Sequence, residues 1–99
     1  MPETDGAEEI TLRSRVRAAV AAVLRVTLDP ERDAEPLAAL FEQYDSLAVL
    51  DTVGEVERVF GVAVDLVDDD PRTSFASVAA IADLVRRKQA DDAVLGGGF

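Results

Sequence analysis

Hydrophobic positions recur along the chain at the spacing of α-helices, beginning with a segment of about residues 8–27. Apolar residues fall there every three or four positions, which predicts a helix with one buried stripe. Asp5 and Glu8 fit a capping box at its start, and Thr11 is a competing start. The stripe is formed by Leu12, Val16, Val20, Val23 and Thr27. Three arginines of this segment are expected on solvated faces, namely Arg13, Arg17 and Arg25.

Prolines interrupt the helical pattern in the stretch that follows. In Asp29-Pro30 and Glu35-Pro36, each proline restricts the residue before it and lacks a backbone donor, which predicts a long connection. Within it, a short helix starting at Pro36 would place four apolar side chains over a helical bundle. These four are Leu37, Leu40, Phe41 and Tyr44.

The most regular amphipathic pattern covers residues 46–60. Asp45 is predicted to be the N-cap and Ser46 the first helical residue, so Ser46 should be exposed at the helix tip. Gly61 is expected to end the helix. Leu47 and Leu50 lie off the buried stripe, so at least one of them should be partly exposed beside Ser46. The stripe consists of Val49, Val53, Val56 and Phe60, with Asp51, Glu55 and Arg58 facing water.

Residues 62–67 alternate apolar and polar positions in the manner of a strand, but a single strand has no partner in this chain. We therefore expect an extended connection whose apolar residues tuck under the bundle. Asp70 as N-cap and Pro71 at the first helical position predict one turn of helix through Phe75. The acidic run at 68–70 lacks the ligand spacing, the turn glycine and the closing glutamate of a calcium loop.

A last helix is predicted to begin after Ser77, which is placed to cap it. Its buried face would consist of Val78, Ile81, Ala82 and Val85, with Arg86, Arg87 and Lys88 in its last turn, where positive charge suits the helix dipole. The chain then divides into a disordered N-terminus at residues 1–7, one domain at 8–90 and a flexible tail at 91–99.

Length and composition agree with a small all-α protein. The chain has 99 residues and no cysteine, so a single domain has to be stabilised by packing rather than by disulfides or a cysteine-based zinc site. Hydrophobic residues make up 48% and are mostly Ala, Val and Leu, which favours a small helical bundle. With the elements predicted above, the expected fold is a four-helix bundle of three longer helices and one short one. No signal peptide or membrane span is evident, and we expect a cytoplasmic monomer.

The charge balance restricts the classes of partner. With 20 acidic and 10 basic residues, the formal net charge is −10, which repels nucleic acids and anionic lipids. Basic protein surfaces are the partners that this charge favours. An acidic surface also serves solubility alone, and composition does not separate the two.

The chain is poor in catalytic groups. It contains no histidine or cysteine, so the usual general base and the strongest nucleophile are missing. Asp45 precedes Ser46, but a capping carboxylate is stabilised in its charged form and accepts a proton poorly. Glu55 and Glu57 point to different faces of their helix. We therefore predict a protein that is not an enzyme, with no catalytic residue and no metal site, in which Ser46 is at most a substrate for another enzyme.

The motif Asp45-Ser46-Leu47 at the start of an acidic, apolar-striped helix resembles the acyl carrier protein family. The resemblance covers residues 12–88 and includes Phe75-Ala76-Ser77-Val78, which is similar to the entry of the family's last helix. It implies a carrier-like four-helix bundle and a covalent 4'-phosphopantetheine arm on Ser46, making the chain a phosphoprotein, with Asp45 and Leu47 flanking the attachment site. Acyl groups would be held on the thiol of that arm as thioesters.

The resemblance also implies partners. A phosphopantetheinyl transferase would attach the arm, an acyl- or aminoacyl-loading ligase or transferase would load it, and synthases with basic docking patches would use it. The positions expected to contact these enzymes are Leu50, Asp51, Gly54 and Glu55, and the acidic rim of the helix includes Asp45. The sequence departs from the family at Phe41-Glu42-Gln43-Tyr44, where a glycine is usual, at Thr52, where an apolar residue is usual, and at Gly54 in mid-helix.

Three functions remain open on the sequence. The first is an acyl carrier in polyketide, fatty-acid or related specialised biosynthesis, with specialised chemistry favoured by the departures from the family motif. An aminoacyl or peptidyl carrier would use Ser46 identically. An unmodified acidic adaptor would have the carrier fold but no arm.

Overall fold

The computed structural model describes the backbone of residues 2–97 and the side chains of residues 10–91. Every regular element in that part is helical, which confirms the predicted all-α class, and the arrangement is compatible with a small helical bundle. Three helices are long and two are short. In chain order they are α1 (Pro2–Leu24), α2 (Leu37–Leu40), α3 (Ser46–Phe60), α4 (Pro71–Ser74) and α5 (Val78–Gly97), with a 3₁₀ turn at Pro30–Arg32.

The core lies where α1 packs against both α3 and α5, and α4 contacts α3 and α5. The face predicted for the last helix is buried as expected, and Leu84 joins it. Burial of these apolar side chains is the main source of stability, because the chain has no disulfide. The residues that fill the core include Val16, Val20, Leu24, Val53, Val56, Phe75, Val78, Ile81, Ala82, Leu84 and Val85.

The first helix ends at Leu24 rather than at residue 27. Arg25 takes the left-handed conformation with φ 57°, and the Val26 N–H donates to the Ala21 carbonyl at 3.1 Å. This pattern is a Schellman motif, which satisfies a free carbonyl and turns the chain out of the helix. Thr27 is consequently exposed and outside the helix. Leu24 is buried in its place and forms the last core contact of α1.

Arg17 is not the solvated side chain that the sequence predicted. Its Nε and Nη2 atoms donate to the two carboxylate oxygens of Asp33 at 2.9 Å and 2.7 Å. Asp33 is buried, and its carbonyl accepts from the Ala79 N–H at 2.9 Å. The hydrogen bond to Asp33 is the main cause that raises the pKa of Arg17. Asp33 thus joins α1, the connection after it and the start of α5.

The short helix α2 is smaller than the pattern suggested. Pro36 is its N-cap rather than its first residue, and Phe41 ends it in an extended conformation. Tyr44 therefore lies outside the helix and is buried for a separate reason, since its hydroxyl donates to the Phe75 carbonyl at 2.5 Å. The Leu37 N–H also donates to the Ala76 carbonyl at 2.8 Å, so α2 is attached to the segment between α4 and α5.

The starts of α4 and α5 agree with the predictions, whereas the end of α5 does not. Asp70, the residue before Pro71, caps α4 by accepting from the Arg72 N–H through its side chain. The Ser77 hydroxyl caps α5 by accepting from the Ala80 N–H at 3.1 Å. The helix continues to Gly97, so the basic run Arg86–Lys88 is not its last turn. Those side chains pair with aspartates instead: Arg86 and Arg87 with Asp83, and Lys88 with Asp69.

Helical backbone extends further at both ends of the chain than the pattern indicated, to Pro2 and to Gly97. The disorder predicted for residues 1–7 and the flexibility predicted for 91–99 fall mostly on residues whose side chains lie outside this description, and they stay predictions. No helix within the described residues is long and apolar enough to cross a membrane.

Candidate functional site

Ser46 occupies the position that the sequence predicted. Asp45, in an extended conformation, accepts from the Ala48 N–H at 2.9 Å through its carboxylate and so caps α3. Ser46 is the first residue of the helix and is exposed. Its hydroxyl makes no hydrogen bond to any residue that the structure describes. The oxygen is therefore accessible and is not engaged in capping.

The first turn of α3 also leaves backbone donors unused. Asp45 binds the Ala48 N–H through its side chain and the Val49 N–H through its carbonyl. The N–H groups of Ser46 and Leu47 have no acceptor among the described residues. Free amides at the positive end of a helix dipole favour an anion at this position.

The body of α3 fixes the first turn by packing. Val53 and Val56 are buried, while Val49 and Phe60 pack against the core from partly exposed positions. Thr52 is fully buried and donates from its hydroxyl to the Ala48 carbonyl at 2.8 Å. Its polar group is therefore hydrogen-bonded within the helix although it lies in the core.

Gly61 ends α3 as predicted. It adopts the left-handed conformation with φ 66° and ψ 30°, and its N–H donates to the Glu57 carbonyl at 2.9 Å. Gly54 lies in mid-helix on an exposed face, where a Cβ atom would meet nothing within 4 Å. No neighbouring group in the fold therefore requires glycine at this position.

Exposed apolar side chains surround Ser46. Leu47 is 69% exposed and Leu50 is 50% exposed, which confirms the expectation for this pair. The expectation that the apolar residues after Gly61 tuck under the bundle holds for Val62, which is buried, and for Val64, which is partly buried against the core. It is wrong for Leu66 and Val67, which are 54% and 86% exposed.

A groove of about 890 Å³ begins beside Ser46. Its walls are the segment around α2, the first turn of α3, the connection before α4, and α4 itself. Its apolar lining includes Tyr44, Val49, Leu50, Leu66, Val67 and Phe75. Charged residues also line it, namely Asp45, Asp70 and Arg72. The groove thus combines a mostly apolar lining with a few polar groups, Ser46 among them, as expected of a small-molecule site.

A tight turn at 65–69 forms one wall of this groove. The Asp65 carboxylate accepts from the Val67 N–H at 2.8 Å and from the Asp68 N–H at 3.1 Å. These hydrogen bonds lower the pKa of Asp65, and the one from the Asp68 N–H has the largest effect. The Asp69 carboxylate in turn accepts from the Asp65 N–H at 2.8 Å. The backbone beneath Leu66 and Val67 is therefore held by side-chain acceptors.

Tyr44 is a groove residue that sequence reasoning placed only in the core. Burial raises its pKa to about 12, and its hydroxyl donates to the Phe75 carbonyl at 2.5 Å. The bond joins the segment before Ser46 to the end of α4. In the sequence, the only signal for this role was that Tyr44 directly precedes the Asp45-Ser46 pair.

The acidic positions of α3 differ from one another. Asp51 is exposed and has no ion pair among the described residues. Glu55 pairs with Arg58 at 2.6 Å, and that hydrogen bond lowers the pKa of Glu55. Glu57 accepts from the Val64 N–H at 2.9 Å and thereby holds the following connection. Of Asp51 and Glu55, the two acidic residues predicted to contact partners, Asp51 is thus the one without an ion partner among the described residues.

No group of three or more acidic, histidine or cysteine side chains that could hold a metal ion occurs among the residues with described side chains. The chain matches no protein-family model, no curated protein and no solved structure. The interpretation of the site therefore depends on the residues and on their geometry.

Proposed function

We propose that this protein is an acyl carrier protein, which holds acyl intermediates on a 4'-phosphopantetheine arm attached to Ser46. The observation that supports this most directly is the exposed Ser46 at the start of α3, which makes no hydrogen bond to a described residue through its hydroxyl and lines a mostly apolar groove. Its sequence context, Asp45-Ser46-Leu47, is the one that resembles the family.

Ser46 would act as a substrate and not as a catalyst. Asp45 is engaged with the Ala48 N–H, and the chain has no histidine that could take the serine proton. A transferase would supply the base. The Ser46 oxygen then bonds to the phosphorus that bears pantetheine in coenzyme A, the bond from that phosphorus to adenosine bisphosphate breaks, and the proton passes to the transferase.

The first turn of α3 suits the product of that reaction. The phosphodiester is an anion, and the unused N–H groups of Ser46 and Leu47 lie at the positive end of the helix. When bound, the arm supplies a thiol, a group that the chain itself lacks. The residues present therefore fit the arm.

The groove gives the carried group a place next to its attachment point. Its apolar lining from Val49, Leu50 and Phe75 suits an acyl chain and excludes water from part of it. We propose that this shelters the acyl group between transfers, with α3 and α4 on two sides.

The acidic surface supports recognition by basic partner enzymes. The net charge of −10 and the unpaired carboxylate of Asp51 attract positive docking patches, and the exposed Leu47 and Leu50 provide apolar contact around the serine. Such docking steers the encounter, while the identity of the cargo is set by the partners.

The test is covalent modification of Ser46. Incubation with coenzyme A and a promiscuous phosphopantetheinyl transferase should increase the intact mass by one phosphopantetheine group. The Ser46→Ala variant should show no increase. Ser14→Ala, which removes an exposed serine of α1, is the matched control and should be modified like the parent protein.

Absence of any mass increase in the parent protein, with transferase that modifies a known carrier in the same buffer, would contradict the proposal. It would favour an unmodified acidic adaptor. If Ser46 is modified instead, loading the modified protein with acyl- and aminoacyl-activating enzymes in parallel would distinguish an acyl carrier from an aminoacyl carrier.

A further inference from the structure

The 65–69 turn is attached to the last helix by the only lysine of the chain. Lys88 of α5 places its Nζ atom 2.6 Å from the Asp69 carboxylate. Both side chains are largely shielded, with 26% and 12% of their surfaces exposed. The same Asp69 oxygen accepts from the Asp65 N–H. Lys88 therefore contacts the turn at the group that holds its backbone together.

The turn is fixed by polar contacts and not by burial. Asp65 accepts two backbone N–H groups of the turn, and the Ser74 hydroxyl of α4 donates to the Asp69 carbonyl. In contrast, Leu66 and Val67 are mostly exposed and contribute little to the core. Removal of the charge at Lys88 would take away one of these polar contacts and loosen the turn, while the buried core stays unchanged.

The two apolar side chains held in this way face the groove. Leu66 and Val67 line it together with Leu50 and the attachment residue Ser46. Leu66 and Val67 are thus exposed to water although hydrogen bonds fix the backbone of their turn. This arrangement suits contact with an apolar group that binds in the groove only transiently. That group is the carried acyl chain, if Ser46 bears the arm.

We infer that Lys88 is a positioning residue for the carried group, because through Asp69 it keeps Leu66 and Val67 in place as the outer wall of the groove. The inference rests on the proposed function and adds a residue of α5, far from Ser46 in sequence, to the determinants of cargo protection.

The first measurement needs no arm. In the unmodified protein, Lys88→Met should speed hydrogen exchange of the Val67 and Asp68 amides about fivefold, because the turn opens more often. Core amides of α5 should exchange as before. Arg86→Met is the matched control, since it removes a neighbouring charge of α5 that pairs with Asp83 of the same helix.

The second measurement tests protection of cargo. Octanoyl-phosphopantetheine is attached from octanoyl-coenzyme A, and loss of the octanoyl group to hydroxylamine is followed by intact mass. Lys88→Met should lose it about threefold faster than the parent protein, because the chain spends more time in water. Val67→Ser, which alters an exposed wall residue and leaves Lys88 intact, should have a similar effect, and Arg86→Met should have none.

The outcomes are distinguishable. No attachment to Ser46 in the parent protein would contradict the proposed function and the inference together. Attachment with unchanged exchange in Lys88→Met would overturn the inference alone, as would faster exchange with an unchanged rate of octanoyl loss. Faster exchange and faster loss in the same variant would support it.

Discussion

Tyr44 illustrates what single residues contribute beyond packing. It is the only tyrosine of a chain without tryptophan, and it lies in the groove wall next to Asp45 and Ser46. Its hydroxyl is buried and bonded to the Phe75 carbonyl, an arrangement that favours the neutral phenol over the phenolate. The protonation state of Tyr44 is therefore coupled to folding.

We expect Tyr44 to titrate near its folded pKa of about 12 in the native protein and near its ordinary value after unfolding. Since the folded pKa is raised, the stabilisation is complete below about pH 10 and is lost between about pH 10 and 12, by about 2–3 kcal/mol in all. Tyrosinate absorbance measures the titration directly, and urea unfolding across this range measures the stability.

Tyr44→Phe is the control for the pH effect. It should be less stable than the parent at neutral pH by about 1 kcal/mol, because the Phe75 carbonyl loses its donor, and the difference should shrink above about pH 10. Tyrosinate absorbance that appears at the ordinary phenol pKa in the folded protein would contradict the prediction.

For single residues, contacts between neighbours in sequence were predicted, whereas contacts between distant residues were not. The helix positions of Asp45 as N-cap, Ser46 as first residue and Gly61 as terminating residue were predicted correctly, because capping depends on neighbouring residues. The partners of Arg17 and Tyr44 were not predicted, because they lie 16 and 31 positions away and only the fold brings them together. An arginine on a polar face reads as solvated unless its distant partner is known.

Among the elements, α3 best shows how local pattern and tertiary structure combine. Its cap, apolar stripe and terminating glycine specify the same bounds, and the structure has those bounds. The mid-helix Gly54 is the exception, because glycine has a low helix propensity. Because a Cβ atom there would meet nothing within 4 Å, the glycine has no packing role within the described fold.

Gly54→Ala should therefore stabilise the protein by up to about 1 kcal/mol, since alanine has the higher helix propensity. Thermal unfolding should show a rise of about 5 °C for a domain of this size. Gly61→Ala is the opposite control: its φ of 66° is strained for alanine, and stability should fall by about 1 kcal/mol.

A loss of stability in Gly54→Ala would show that the position is constrained in a way that the open space does not indicate. If the variant is more stable but is modified more slowly at Ser46 by the transferase, Gly54 serves close approach of a partner. Equal modification rates would leave it as a weak point of the helix.

Element starts were easier to predict than element ends. Asp70-Pro71 predicts the start of α4 and Ser77 that of α5, because each supplies a side-chain cap. The end of α1 depends on the left-handed conformation of Arg25, which the sequence does not indicate. The 65–69 turn depends on aspartates that accept local backbone hydrogen bonds, whereas in the sequence they look like a solvated acidic run. Short polar side chains near a chain reversal are the signal that could have identified that turn.

In the molecule as a whole, one ion pair connects segments that are distant in sequence. Arg17 on α1 binds Asp33, whose carbonyl also accepts from Ala79 in α5. The pair is largely shielded, with side chains 18% and 7% exposed, so loss of one charge leaves the other without compensation in a poorly hydrated position.

Asp33→Asn should lower the free energy of unfolding by about 2 kcal/mol, as expected for a charge-assisted hydrogen-bonded pair. Urea unfolding at neutral pH should show a lower midpoint and an unchanged slope. Glu35→Gln removes the exposed pair with Arg32 and should cost less than about 0.5 kcal/mol. Equal effects of the two variants would contradict the structural difference between the pairs.

The three long helices and the 65–69 turn are stabilised in different ways. α1 contacts α3 and α5 through buried apolar surface, and Leu37 of α2 and Phe75 after α4 belong to the same core. The 65–69 turn in the groove wall is instead secured by individual polar bonds. Breaking a few such bonds requires far less free energy than separating the long helices. This part of the groove wall can therefore change its outline while the scaffold of long helices that presents the serine keeps its shape.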